Sequence, residues 1–381
     1  MKIAFPLAGT DRGRSGLGVW ARAVLPRLVR RARAENNGVV VLGTPADLAA
    51  YAEVAEGAER VVLPEWSSRA GLSAAVHLAA ADRLARRRGA DVLLLPAANR
   101  RFVWRSTLPT LAVIHDLAAL HVPRKFGWLR DVWVRRALPA ALRRCTRLVA
   151  ISQATRDDLR GLVGGETEVT VVPNGVEAER FYRSTATAAL GWRARAAFGL
   201  ERPFLLYAAR LEHPGKNHLR LVEAFAASGL GARADLVLAG ADWGAQPAIE
   251  AAARAHGVEP RVRVLGFVER WQLEGLVAAS SAVAMVGLLE GFGLPALEAL
   301  AAGKPVVASS TGALPEVTGG LAALCDPYDV ADLARGLRRM FEDDALVARA
   351  AAEGPRWAGA HTWDRTADAL YGACRQMQEA A

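Results

Sequence analysis

Cysteine is scarce in this chain of 381 residues. Cys145, Cys325 and Cys374 are odd in number and far apart, which excludes a disulfide frame and a cysteine-rich zinc site and fits reduced thiols in a cytosolic protein. No run of eighteen apolar residues occurs, so no segment reads as a membrane-crossing helix. The opening MKIAFPLAG reads as a short strand and a glycine loop. A signal peptide would need a longer apolar region and a small-residue cleavage site, so a cytoplasmic protein is expected. A Walker loop, a Ser-His-Asp order, a Cys/His cluster and an Asp-x-Asp between strands are all missing. Asp157-Asp158 and Asp343-Asp344 fall in helical stretches and read as solvated surface, so neither a metal nor another cofactor is expected.

What the chain does have is charge of one sign in one half. Residues 1–175 hold 27 lysines and arginines against 15 acids, and the remainder holds 21 against 24, so the formal +9 arises before residue 176. Arg124 to Arg147 carries eight basic residues and one acid, Asp131, interleaved with Trp128, Leu129, Val132, Trp133 and Leu138. Such a stretch can lie on an anionic bilayer, which would place the protein peripherally on the inner membrane face. It can also be a solvated face of an Ala- and Arg-rich chain. No nucleic-acid motif accompanies the charge, and nucleic acid is not an expected partner.

Hydrophobic residues make up 52% and mean hydropathy is +0.13, as in a globular chain long enough for two domains. Short apolar segments alternate with helical ones throughout. Seven run from Lys2–Pro6 to Val169–Val172, and six more run from Phe204–Ala208 to Ala322–Cys325. This alternation predicts an α/β protein with two parallel, doubly wound, Rossmann-like sheets, divided after Asn174-Gly175. The last segment, from Trp363 to Met377, reads as an amphipathic helix.

The most informative stretch is Glu290-Gly291-Phe292-Gly293-Leu294-Pro295, closed by Glu298. Ala282 to Leu289 reads as a buried strand before it, Ala296 to Ala302 as a helix after it, and Lys304 to Ser309 as the next strand. A parallel sheet presents a polar ligand site at its carboxyl edge in this way. Glu290 would face the ligand from the loop, Glu298 would sit on the opening turn, and the free N–H groups there suit an anion. An ordinary capped helix can carry glutamate at both ends too. Elsewhere, Arg14-Ser15-Gly16-Leu17-Gly18 follows the first strand and lets backbone N–H groups approach a phosphate, or simply makes a turn. His115-Asp116 ends the strand Leu111 to Ile114, at the edge where α/β ligand sites sit, with a capped structural histidine as the other reading. Ser152 and Asn174 read as an N-cap and a turn.

The wording E-G-F-G-L-P-A-L-E-A-L-A-A-G-K-P-V-V-A-S resembles the retaining glycosyltransferases of the GT-B fold, family 4 (group 1), whose signature is two glutamates around seven residues. The resemblance extends over essentially the whole chain. It implies a domain of residues 1–175 that binds the acceptor and a domain of residues 176–359 that binds the donor. The two would face a cleft, with the C-terminal helix (360–381) crossing back to the first. It implies a hexose moved from a UDP- or GDP-sugar to a glycan or lipid-linked acceptor in cell-surface polysaccharide synthesis. Residue by residue, Glu290 touches the sugar and Glu298 the ribose within E-G-F-G-L-P. Phe292, Gly293 and Leu294 line the donor there, Gly16 contacts the diphosphate, His115 bonds the hexose, and the backbone at Gly266, Phe267 and Val268 reads the base. In Y-A-A-R-L-E-H-P-G-K-N, Arg210 and Lys216 would stabilise the departing diphosphate without a metal, each to the extent of about 2–4 kcal/mol. The family's commonest spacing between these cations is five residues; here it is six. A same-fold sugar synthase or phosphorylase working on a small sugar phosphate, and a non-catalytic nucleotide-sugar binder, are the alternatives.

Overall fold

The computed structural model describes residues 1–13, 15–68, 81–101, 103–104, 106–121, 136–164 and 167–381. They form two compact units. The first takes its described residues from Met1–Leu120, Phe126–Gly175 and Trp363–Ala381, the second from His121–Lys125 and Val176–Thr362.

The first unit is built on strands β1 (Lys2–Pro6), β2 (Gly38–Gly43), β3 (Glu59–Val62), β4 (Val92–Leu95), β5 (Thr110–Ile114), β6 (Arg147–Ala150) and β7 (Val169–Val171). They lie in the order β3-β2-β1-β4-β5-β6-β7, every pair parallel. The second unit is built on β8 (Phe204–Ala208), β9 (Asp235–Ala239), β10 (Val262–Gly266), β11 (Ala282–Met285), β12 (Val306–Ser309) and β13 (Ala322–Cys325). Their order is β10-β9-β8-β11-β12-β13, again wholly parallel. β4, β5, β9, β11 and β12 are buried at every position. Strands covered on both faces need near-continuous apolar runs, which is why these five show plainly in the sequence.

The strand order reverses at β1/β4 in one sheet and at β8/β11 in the other. At such a reversal the flanking loops diverge to opposite faces and leave a crevice outside the carboxyl ends of the strands. One predicted strand is too long: Ala282 to Leu289 ends at Met285. β12 pairs with it only through Met285. Beyond that point the backbone belongs to other partners. The Val286 carbonyl accepts from Asn217 Nδ2 at 3.1 Å, Leu288 N donates to the Gly215 carbonyl at 2.9 Å, and Ser309 Oγ donates to the Gly287 carbonyl at 2.7 Å. The tail of the apolar run is therefore site loop rather than ladder.

The helix Trp363–Glu379 packs in the first unit against the helix Gly16–Ala34. It buries Trp363, Leu370, Tyr371, Cys374 and Met377. Asp364 takes ion pairs from Arg27 (3.1 Å) and Arg30 (2.8 Å), and Tyr371 Oη donates to Glu35 at 2.8 Å. Of the basic stretch Arg124 to Arg147, residues 124–135 lie outside the described residues. Three arginines that follow have partners within the protein. Arg143 Nε donates to the Val163 carbonyl at 2.7 Å, Arg144 stacks on Trp104 at 4.4 Å, and Arg147 donates to Gln376 at 2.7 Å. Among the described residues no helix is long and apolar enough to cross a membrane.

Candidate active site

At the β8/β11 reversal, the loop that leaves β8 meets the loop that leaves β11. Asn217 makes the junction: it is buried, sits at φ +59°, and donates from Nδ2 to the carbonyls of Val286 (3.1 Å) and Pro327 (2.7 Å). Lys216, one residue earlier, is held in place, and Tyr207 Oη donates to its carbonyl at 2.7 Å. Its ammonium donates to both oxygens of Glu290, at 2.8 and 2.9 Å. The six-residue spacing thus delivers the lysine to the glutamate loop.

Glu290 is fixed by close approach of backbone on two sides. Its carbonyl accepts from Ala313 N at 3.0 Å. A Cβ on Gly312 (φ +64°) would lie 2.6 Å from that carbonyl, and one on Gly287 would lie 2.6 Å from Glu290 Oε1. Only glycine fits at Gly312, where the clash is with backbone and φ is left-handed, whereas a side chain at Gly287 would push the Glu290 carboxylate off its place. Gly293, at φ +97°, then opens the helix Leu294–Ala301 with no side-chain cap. Phe292 is 5% exposed and anchors the loop in the core, while Leu294 is half-buried.

Arg210 leaves the end of β8 and pairs with Glu212 at 3.0 Å. Its guanidinium lies over the Trp243 ring, 4.3 Å from the centroid. That ring is 63% exposed, and its backbone is tied back to the same segment through Trp243 N to the Leu211 carbonyl at 2.9 Å. On the next strand, Gly266 closes β10 at φ +72°, Phe267 stands 70% exposed and Val268 is partly buried.

Glu298 occupies a different neighbourhood. It is 7% exposed, and burial raises its carboxyl to about 6, against the attraction of Arg270. Arg270 bonds Glu274 (2.7 Å) and Glu177 (3.2 Å), and Arg180 bonds the same two acids at 3.1 and 3.4 Å. They are two local pairs, Arg270 and Glu274 at i,i+4 on one helix and Glu177 and Arg180 at i,i+3 on one turn, and it is the cross-links between the pairs that the sequence does not announce. Because the folded value lies above the ordinary 4.5, the native state binds the extra proton between about pH 4.5 and 6. The contribution of Glu298 to stability is full below that window and is lost as pH rises through it, by about 2 kcal/mol. Glu298→Gln does not titrate; thermal melts of the two proteins from pH 4 to 7 should diverge across the window, and parallel curves would contradict the burial argument.

In the first unit, Gly16 opens the helix Gly16–Ala34 after Ser15, whose hydroxyl is buried without a partner, as is the indole N–H of Trp20. His115 ends β5, buried, with Nε2 2.8 Å from the Pro96 carbonyl. A carbonyl only accepts, so Nε2 carries the proton and Nδ1 keeps its lone pair. Trp20 meets this ring edge-on at 5.2 Å. Burial lowers the imidazole to about 4, so it is neutral at physiological pH. Asp116 supports the loop, accepting from Ala118 N at 3.2 Å. Ser152 is an N-cap, accepting from Thr155 N at 3.1 Å, and the buried Asn174 Oδ1 has no partner.

Glu290, Lys216 and Arg210 therefore share the loops of one strand reversal, with Glu298 one helix turn further on, and His115 and Gly16 lie at the carboxyl edge of the other sheet. Residues 21–180 match the model described as Glycosyltransferase Family 4, and residues 191–357 that of Glycosyl transferases group 1. The chain belongs to the family 4, group 1 glycosyltransferases. A curated relative of this glycosyltransferase family, the glycogen synthase of Mycobacterium tuberculosis, is 30% identical over 64% of this chain and 57% of its own length. The D-inositol 3-phosphate glycosyltransferase of Actinosynnema mirum is 34% identical over 72% of this chain and 66% of its own. The chain spans little more than half the length of the first curated relatives it matches. Among solved structures, Anabaena HepE in complex with UDP and glucose matches with a TM-score of 0.75 at 21% identity, over 99% of this chain and 100% of that one. The two parallel sheets are thus those of the GT-B fold.

Proposed function

We propose that this family member is a retaining, metal-independent hexosyltransferase. It would take a nucleoside-diphosphate sugar as donor and a glycan or lipid-linked acceptor. The observation that carries this reading is the bidentate Lys216–Glu290 pair at the β8/β11 reversal, on the same loop as Arg210. As the glycosidic bond breaks, negative charge grows on the diphosphate, and fixed cations are worth more to that state than to the ground state. Glu290, held by Lys216 and by backbone, orients sugar hydroxyls rather than attacking. Retention then comes from front-face substitution, the leaving phosphate oxygen taking the acceptor proton. His115 offers a neutral ring nitrogen to a hydroxyl of the hexose. The ionised Glu298 accepts from the ribose hydroxyls, the backbone around Gly266, Phe267 and Val268 reads the base, and Gly16 contacts the diphosphate.

HepE, whose structure holds UDP and glucose, makes a UDP-sugar the first donor to test. UDP-, GDP- and ADP-sugars are screened by thermal shift, where about 100 times Kd adds roughly 2.7 kcal/mol. Turnover is followed by NMR of the anomeric proton. No stabilisation by any donor would overturn the proposal, and so would an inverted product; tight binding with no slow hydrolysis and no transfer would make the chain a binder. Phosphorolysis with free phosphate would make it a phosphorylase. Glu298→Gln is expected to weaken the donor, and in the unsubstituted protein donor affinity should fall below about pH 6 as this carboxylate takes its proton. Unaltered affinity in both tests would remove Glu298 from the ribose.

A further inference from the structure

A pocket with none of these loop residues in its lining lies at the start of β12 in the second unit. It encloses about 490 Å³, within the roughly 300–1,000 Å³ common for small-molecule sites. Its charged lining is Arg183 and Lys304; the remaining lining is Phe181, small residues and the hydroxyls of Ser184 and Thr187, with no carboxylate.

Two cations on one cavity without an acid between them is an unfavourable arrangement for an empty site. Lys304 spends one proton on the Ser280 carbonyl at 2.8 Å, leaving two N–H donors. Burial and then the charge of Arg183 lower its affinity for the proton, and no carboxylate acts on it to raise that affinity. Arg183 is exposed, and its side chain makes no hydrogen bond or ion pair among the described residues. The helix Leu294–Ala301 ends at the pocket, and Lys304 already meets the negative end of its dipole. The charge of Arg183 is surplus to that need. The helix Thr185–Phe198, capped by Ser184, begins on the opposite wall and adds its positive end.

We propose that this pocket binds a small phosphate-bearing molecule, its anionic group between Arg183 and Lys304 and its body against Phe181 and the alanines. An anion there is desolvated by the cavity and takes charge-assisted hydrogen bonds from both side chains. The site is separate from the diphosphate loops, and the inference does not depend on the transferase reading.

The test is calorimetric titration of the full chain with inorganic phosphate and glycerol 3-phosphate, with glycerol as the uncharged control. Arg183→Gln removes an exposed charge, and Lys304→Gln keeps a donor for the Ser280 carbonyl. Each is expected to weaken both phosphates by about tenfold or more, while Arg210→Ala leaves them unchanged and glycerol does not bind. Three results would overturn the proposal: no phosphate binding at millimolar concentration, affinity in either glutamine variant unchanged from that of the unsubstituted protein, or loss of binding in Arg210→Ala.

Discussion

Lys216→Ala is expected to lower kcat by about 10²–10³-fold, the loss seen when one preorganised charge-stabilising group is removed. The same change strands Glu290, whose carboxylate is largely buried and has both oxygens on this ammonium. Breaking such a pair from one side costs on the order of 3 kcal/mol of stability, because a charge is left without its partner. The two effects separate in a double substitution. Glu290→Gln in the Lys216→Ala background removes the stranded charge, so the melting temperature should recover most of its loss while kcat stays low. If kcat recovers with the fold, the lysine is a structural strut and the proposed chemistry fails. If Lys216→Ala melts like the unsubstituted protein, the pair carries no more weight in the fold than a surface contact does.

Arg210→Ala should depress kcat about 10²–10³-fold and disturb donor binding much less, since its charge matters most when the diphosphate departs. Arg210→Lys is not a conservative control. It keeps the charge but loses the planar fork that meets Glu212 and the flat face that stacks on Trp243. Trp243 gives an internal check. An exposed cation–π contact is worth about 0.5–1 kcal/mol, so Trp243→Ala should slow turnover by a few-fold through a less well aimed arginine. In the Arg210→Ala background the tryptophan has nothing to aim and should matter no further. Full additivity of the two losses in kcat would show that Trp243 acts on something else.

The sheets were legible because a parallel strand covered on both faces reads as a near-continuous apolar run, as Val92–Leu95 and Leu111 to Ile114 do. The same rule misled at Val286 to Leu289. That run is equally apolar, but its hydrogen bonds go to Gly215, Asn217 and Ser309. Local wording also brought out Glu290, Glu298, Arg210 and Lys216, since glycines and proline mark the loops that carry them. It could not show that Lys216 bonds Glu290, a contact between residues 74 apart. Nor could it show that the i,i+4 pair Arg270–Glu274 and the i,i+3 pair Glu177–Arg180 join into one group near Glu298, because the bonds that link them run between residues more than 90 apart. Asn217 was hidden for another reason. Beside a lysine it reads as a loop residue, and its value lies in a left-handed backbone and two distant carbonyls.

The helix Trp363–Glu379 completes the first unit, yet it follows the whole of the second in the chain. During synthesis the nascent first sheet must wait, its groove along Gly16–Ala34 uncovered, until some 190 further residues (176–362) have left the ribosome. The order of assembly is thereby reversed from the order of translation. The later half can close on itself as soon as it emerges, whereas the earlier half is finished last.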